Sequence, residues 1–356
     1  MSVESWTILL ASAGLSLVLC FVLTPLAHKT GLLDHPSERK VHGTSIPLVG
    51  GLAIFIAWVA TVLLSTPYST QALPLLTACG LMLITGMKDD LHELSPHTRF
   101  GLQILACMIM IFAGGVVLTD FGSLMWNGVL PLGWFSIPIT VFAVLGVINA
   151  FNMMDGIDGL SSMIFMIAGT AMAWLALRSG LVFNASMLII VVGAVFGFFL
   201  MNARLPWNKR GRVFLGDSGS VFLGMFLAWQ FVDLGNGTDR AFTPITAVWL
   251  LGIPLMDTTT LMARRWRDGV SALQADQHHL HHAFLKAGFS VAQTGAAITL
   301  MILFTTTIGL TGLLLEWPEY LMFYGYLALC GVYLLIMRRC WRHHRFLGRD
   351  VASELS

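Results

Sequence analysis

Long apolar runs alternate along the chain with short polar stretches, and most ionisable residues sit at the ends of those runs. A bilayer-crossing helix needs about 17–25 predominantly apolar residues. Uncharged runs between turn signals predict eleven such helices, near 5–27, 46–66, 71–88, 100–119, 136–151, 160–178, 184–202, 218–233, 243–262, 291–315 and 319–338. The fifth and eighth are short for a span. Only the polar turn from Ser65 to Gln71 divides the second from the third. The first run is too long for a signal-peptide core, and no small-residue cleavage site follows it. The expected fold is an all-α, polytopic integral membrane protein with one transmembrane domain over 1–338 and a basic tail over 339–356.

Composition agrees. Of 356 residues, 56% are hydrophobic and 11% charged, where soluble domains carry about 25% charged residues. The net charge of +1 is uninformative, but its distribution is not. With eleven spans, one set of loops holds Arg178 and Arg240, and the other holds the remaining 18 of 20 Lys and Arg together with all 11 His. Cation bias marks the second side as cytoplasmic, placing the N-terminus in the periplasm and the tail in the cytoplasm. Asp89, Asp90, Asp155, Asp158, Asp217, Asp257 and Asp276 share that side, which cation bias does not explain. The five cysteines are scattered singly and form no CxxC pair, so they read as packing residues. No basic, aromatic-interleaved stripe supports nucleic-acid binding.

Five polar stretches hold the candidate chemistry. Asp89-Asp90 places two carboxylates side by side at a helix end, where they repel unless a cation offsets them; an interfacial stop signal and a metal or phosphate site both fit. Between Asn149 and Gly159, Asp155 and Asp158 are three residues apart, hence on one face of a helix, with Asn149 and Asn152 nearby. No cation lies between Phe121 and Leu177 to neutralise them locally. Phe214 to Ser220 reads as a helix start capped by Asp or Ser. Its glycines and the neighbouring Arg204, Lys209, Arg210 and Arg212 also suit phosphate at a helix N-terminus, and Asp217 suits Mg²⁺.

Asp276 to His282 contains four histidines in five residues. His278 and His282 have i,i+4 spacing, but no Glu follows the first as a zinc protease needs. Zinc binding, diphosphate binding with proton relay, and a plain solvated loop all remain open. Arg39 to Gly43, with Lys40 and His42, reads alone as a cluster attracting anionic headgroups. Asp257 reads as a structural partner of Arg264 and Arg265 or as a member of the site, structural support being favoured.

Together these stretches offer carboxylates for Mg²⁺, cations for a diphosphate and apolar spans for a lipid. The segments Asn149 to Leu160, Val213 to Ser220, Ile253 to Asp257 and Asp276 to His282 resemble the polyprenyl-phosphate N-acetylhexosamine-1-phosphate transferases, in the same order from about Gly31 to Gly288. The resemblance implies Mg²⁺-dependent transfer of a sugar-1-phosphate from a UDP-sugar to undecaprenyl phosphate with release of UMP, Mn²⁺ substituting. By the same resemblance Asp89, Asp90, Asp155, Asp158 and His279 are catalytic. Asp217, with Asp89 and Asp90, holds the metal. Lys40, His42, Asn149, Asn152, Asn202, Arg264, Arg265, His278, His281 and His282 bind substrate. The His-His-Leu-His-His run differs from the three consecutive histidines of the MurNAc-pentapeptide branch and argues against that branch, without separating UDP-GlcNAc from its epimeric or 6-deoxy relatives. The resemblance implies UDP-GlcNAc as donor, at the first step of O-antigen or a related polysaccharide. Another UDP-N-acetylhexosamine, or transport of an anionic solute, are the rival readings. The implied setting is the bacterial inner membrane, with undecaprenyl phosphate, UDP-GlcNAc and the bilayer as partners, no nucleic acid, and a homodimer left open.

Overall fold

The computed structural model describes residues 3–34, 45–65, 69–125, 128–237, 239–269 and 278–354. Among these the protein is almost wholly helical: α1 (Val3–Thr30), α2 (Gly50–Ser65), α3 (Ser69–His92), α4 (Pro96–Met108), α5 (Ser136–Met153), α6 (Leu160–Arg178), α7 (Val182–Asn202), α8 (Gly216–Leu234), α9 (Pro244–Leu250), α10 (Gly252–Arg267), α11 (Leu280–Lys286), α12 (Val291–Leu314) and α13 (Glu319–Glu354). Two short strands, β1 (Leu33–Asp34) and β2 (Ile46–Pro47), pair antiparallel. Eight helices among the described residues are long and apolar enough to cross a membrane. The chain is therefore a multi-pass membrane protein. The boundary expected at residue 338 falls inside α13.

Three of the expected spans take a different form. The second is α2, only 16 residues long. The ninth is a broken pair, α9 and α10, bent by 86°. The break has a local cause: Leu251 leaves helical geometry (φ −108°, ψ 25°), and Pro254 has no N–H to continue the ladder to Leu250. The eighth, α8, is shielded by protein rather than lipid. It packs against α2, α3, α5 and α6, and Phe222 and Phe226 lie 6.0 and 5.2 Å from the Trp58 ring. A helix buried on every side is apolar all round, which is why α8 reads as a span.

The starts of α4 and α12 are fixed by side-chain caps. Ser95 accepts from the Thr98 amide with Pro96 at the first helical position of α4, and Ser290 with Gln293 forms a capping box on α12. The C-terminal ends of α3 and α5 and the N-terminal ends of α6 and α8 emerge on one side of the bundle. At the opposite end Arg240 bridges Asp120 at 3.6 Å and Glu319 at 3.4 Å, tying the start of α13 to the 120–123 turn.

Candidate active site

The start of α8 is the structural centre of the polar cluster. Gly216 has φ 74°, a left-handed conformation natural to glycine. It turns the chain so that the first amides of the helix face α3. No side chain from the 214–220 segment caps them. Asp90 does so from α3, its Oδ1 accepting from the Asp217 amide at 2.8 Å and its Oδ2 from the Ser218 amide at 3.1 Å. The cap expected from Asp217 or Ser218 is thus supplied across the bundle, because Leu215 holds the local capping position. Residues 46–51 support the turn from below: Phe214 donates to the Pro47 carbonyl, and Gly50 and Gly51 donate to Phe214 and Leu215.

The two residues of the acidic pair have different surroundings. Asp89 is 7% exposed, accepts from the Leu94 amide at 2.7 Å and pairs with Arg99 Nε at 2.7 Å. Asp158 pairs with Arg204 Nε at 2.8 Å and accepts from the Gly211 amide at 3.3 Å. The cation that the sequence does not offer near Asp158 therefore arrives from the α7–α8 turn. Asp155 accepts from Ser161 Oγ at 2.6 Å. Its carboxyl is pushed up to about 6, first by burial and then by the charges of Asp90 and Asp158, against the Ser161 bond. No described residue hydrogen-bonds or pairs with the Asp217 carboxylate; Asp90, Asp89 and Asp155 act on it with like charge and Arg99 with opposite charge.

The asparagines build the scaffold. Asn149 donates to Gln103 Oε1 and the Leu145 carbonyl. Asn152 accepts from Ser220 Oγ, joining the end of α5 to the start of α8. Asn202 accepts from the Gly159 amide at 2.7 Å and donates to the Val213 carbonyl at 2.9 Å, locking the 155–159 turn to the α8 approach.

The histidines follow the broken helix. Asp257, 1% exposed, faces His279 rather than Arg264 and Arg265, correcting the expected partnership. Its Oδ2 lies 2.8 Å from His279 Nδ1, so Nδ1 carries the proton and Nε2 is left for another partner. Its Oδ1 accepts from the Leu280 amide and from Tyr333 Oη. His281 stacks parallel to His279 at 5.7 Å, and its Nε2 packs on Gly156. Burial first, then the neighbouring His282 and His279 imidazoles, push His281 down to about 3, so its ring is neutral. The His282 ring lies 4.2 Å from that of His281. Trp341 Nε1 donates to the His278 carbonyl at 3.1 Å. Arg264 lies over the Trp341 ring at 4.7 Å and pairs with Asp268 at 3.5 Å. Arg265 is buried.

The structure thus gathers Asp90, Asp155 and Asp217, with Asp89 and Asp158 at the margin, each held by an arginine. His281 touches this group through Gly156. Lys40, His42 and Asp276 lie outside the described residues. Sequence reasoning missed Arg99, Ser161, Tyr333 and Trp341. Tyr333 and Trp341 bond to partners 76 and 63 residues away, and Ser161 lies six residues from Asp155 and Arg99 beyond the α3–α4 turn from Asp89, spacings that match no helical repeat.

Among the described residues no group of three or more His, Cys, Asp or Glu is arranged to hold a metal by itself. That fits Mg²⁺, which takes one or two carboxylates and completes its shell with water and substrate phosphates. The unpartnered Asp217 carboxylate, flanked by like charge, is the group that such an ion would neutralise.

Residues 72–235 match the family model described as glycosyl transferase family 4. The chain is 33% identical over 336 residues to the undecaprenyl-phosphate alpha-N-acetylglucosaminyl 1-phosphate transferase of Pasteurella multocida (strain Pm70), covering 94% of each. It is 35% identical to the protein of that name from Yersinia pestis, over 94% of this chain and 92% of the relative. The chain belongs to this transferase family. Identity to the Escherichia coli (strain K12) member is 30%, covering 92% of this chain and 90% of the relative. Similarity at this level extends well past the family-model segment.

Proposed function

We propose that the protein transfers N-acetylglucosamine-1-phosphate from UDP-GlcNAc to undecaprenyl phosphate, releasing UMP. The observation that carries the reading is the gathering of Asp90, Asp155 and Asp217 at one end of the bundle, in a chain of this family. Phosphoryl transfer is chiefly positioning and charge neutralisation, and this end of the molecule is equipped for both. Mg²⁺, the expected cofactor with Mn²⁺ as its substitute, would be held by Asp217 with Asp90 and Asp155 beside it, neutralising the diphosphate.

The chain's own residues supply the rest. Asp155, raised to about 6, matches the second ionisation of a phosphate monoester, near 6. It is thus suited to take the proton of the lipid phosphate at its Oδ2. Lys209, Arg210 and Arg212 form an exposed cationic lip on the turn that Asp158 and Arg204 anchor, placed for the donor's phosphates. His279, its Nδ1 fixed by Asp257, presents Nε2 to the substrate. Asp90 keeps the α8 amides oriented, and Asp89, held by Arg99, positions the end of α3.

The membrane arrangement that suits this chemistry has eleven spans, counting α2, α8 and the α9–α10 pair, with the N-terminus in the periplasm. The site then faces the cytoplasm from the bacterial inner membrane, where nucleotide sugars are made. Purified protein incubated with undecaprenyl phosphate, radiolabelled UDP-GlcNAc and Mg²⁺ tests the proposal. Lipid-linked label with UMP release, abolished by EDTA, is expected. Release of UDP would mean transfer of the sugar alone and would overturn the mechanism.

A further inference from the structure

We infer that α13, beyond the segment matched by the family model, is a positioning element of the site, with Tyr333 and Trp341 fixing the histidine loop. Three aromatic residues on α13, spaced 7 and 8 apart and so forming one stripe along the helix, bond to the broken-helix region. Tyr326 Oη donates to the Gly252 carbonyl at 3.1 Å. Tyr333 Oη donates to Asp257 Oδ1 at 2.7 Å. Trp341 Nε1 donates to the His278 carbonyl at 3.1 Å, and its ring lies under the Arg264 guanidinium.

These contacts fix His279 from two directions. The Asp257 carboxylate has one oxygen on His279 Nδ1 and the other on Tyr333 and the Leu280 amide. Tyr333 thereby sets the rotation of the carboxylate and, through it, the plane of the imidazole. Trp341 holds the backbone one residue before His279. A buried hydroxyl and a buried indole N–H seek partners wherever they lie. Here one partner, Asp257 on α10, holds the His279 ring, and the other, His278, is the residue before it; the same stripe reaches the helix break. Tyr333 and Trp341 touch none of the gathered carboxylates; Tyr333 acts through Asp257, and Trp341 through His278 and Arg264.

The inference rests on the transferase reading for its kinetic arm. Full-length wild type, Y333F, W341F and Y326F are assayed in detergent with undecaprenyl phosphate and UDP-GlcNAc, with rates expressed per folded molecule. Losing the hydrogen bond to a charged carboxylate in Y333F is expected to lower kcat about tenfold, while the KM for undecaprenyl phosphate stays within about twofold. W341F lowers kcat in the same direction, and Y326F, whose bond ends on Gly252 at the helix break and reaches neither Asp257 nor the histidine segment, changes thermal stability alone. A second arm needs no turnover. In ¹⁵N-histidine-labelled protein, with the His279 signals assigned by their loss in H279Q, the Nδ1–H signal moves in Y333F. Unchanged His279 signals together with wild-type kcat in Y333F and W341F would reduce the stripe to packing. Absence of turnover in wild type would defeat the transferase reading instead and leave the spectroscopic arm to decide this one.

Discussion

Replacing Gly86 with alanine tests whether the site proposed for Mg²⁺ depends on the close approach of α3 and α8. A methyl group there would stand under 3.0 Å from the Asp217 carbonyl oxygen and from the Ser218 N and Cα, where ordinary contact begins at 3.4 Å. The atoms in the way are backbone, so relief requires the helices to part by several tenths of an ångström up to about 1 Å. Gly86 and Asp90 are i and i+4 on one face of α3, so that separation lengthens both capping bonds. At 2.8 and 3.1 Å they have little slack before the contact ceases to be a hydrogen bond. Overpacking costs about 1–3 kcal/mol, and each charge-assisted bond lost costs about 1.5–3 kcal/mol more. Asp217 moves with the α8 amides, and a misplacement of about 1 Å can cost about 100-fold in rate. The G86A enzyme should insert and fold, melt at lower temperature, and turn over about 100-fold more slowly with a raised Mg²⁺ requirement. Turnover and Mg²⁺ dependence equal to wild type would refute the link between helix approach and metal site.

Other consequences follow from the same geometry. D217N should abolish Mg²⁺-dependent turnover and also the rise in melting temperature on adding Mg²⁺; an undiminished Mg²⁺ shift would move the metal elsewhere. Asp155 is raised from 3.8 to about 6 in the folded protein, so folding favours its protonated form. The stability it contributes is fully present below about pH 3.8 and is lost as pH rises through about 6. Melts in EDTA should therefore fall between pH 5 and 7.5 more steeply in wild type than in D155N, and parallel slopes would contradict the assigned burial. R99Q leaves the nearly buried Asp89 without its cation and should destabilise the protein, while D89N/R99Q recovers part of the loss; additive effects in the cycle would show that the pair is not coupled. D268N removes an exposed partner of Arg264 and Arg267 and should leave turnover within about twofold of wild type.

The helical spans were legible because the bilayer requirement imposes length and apolarity that one sequence displays directly. The 86° break was not, although Gly252 and Pro254 stand beside it, since both residues are common in unbroken membrane helices. Within the site, the Asp155 and Asp217 segments were recognisable from acids placed among glycines. The division of labour among the acids was not legible. Asp89 and Asp90 are adjacent in sequence, yet one faces Arg99 and the other the amides of α8. Asp257 was read against the arginines that follow it, while its partners His279 and Tyr333 lie 22 and 76 residues away. Partnerships of that kind are set by helix packing and leave no periodicity to read.

The cap that α3 places on α8 also bears on how the protein is made. During membrane insertion α3 enters well before α8 is synthesised, so Asp90 waits without the amides it will hold, and Asp217 has no position until the two helices meet. An incompletely inserted chain thus carries all the acids of the first half without the assembled site proposed for Mg²⁺. The order of insertion therefore makes the proposed site one of the later parts of the fold to form.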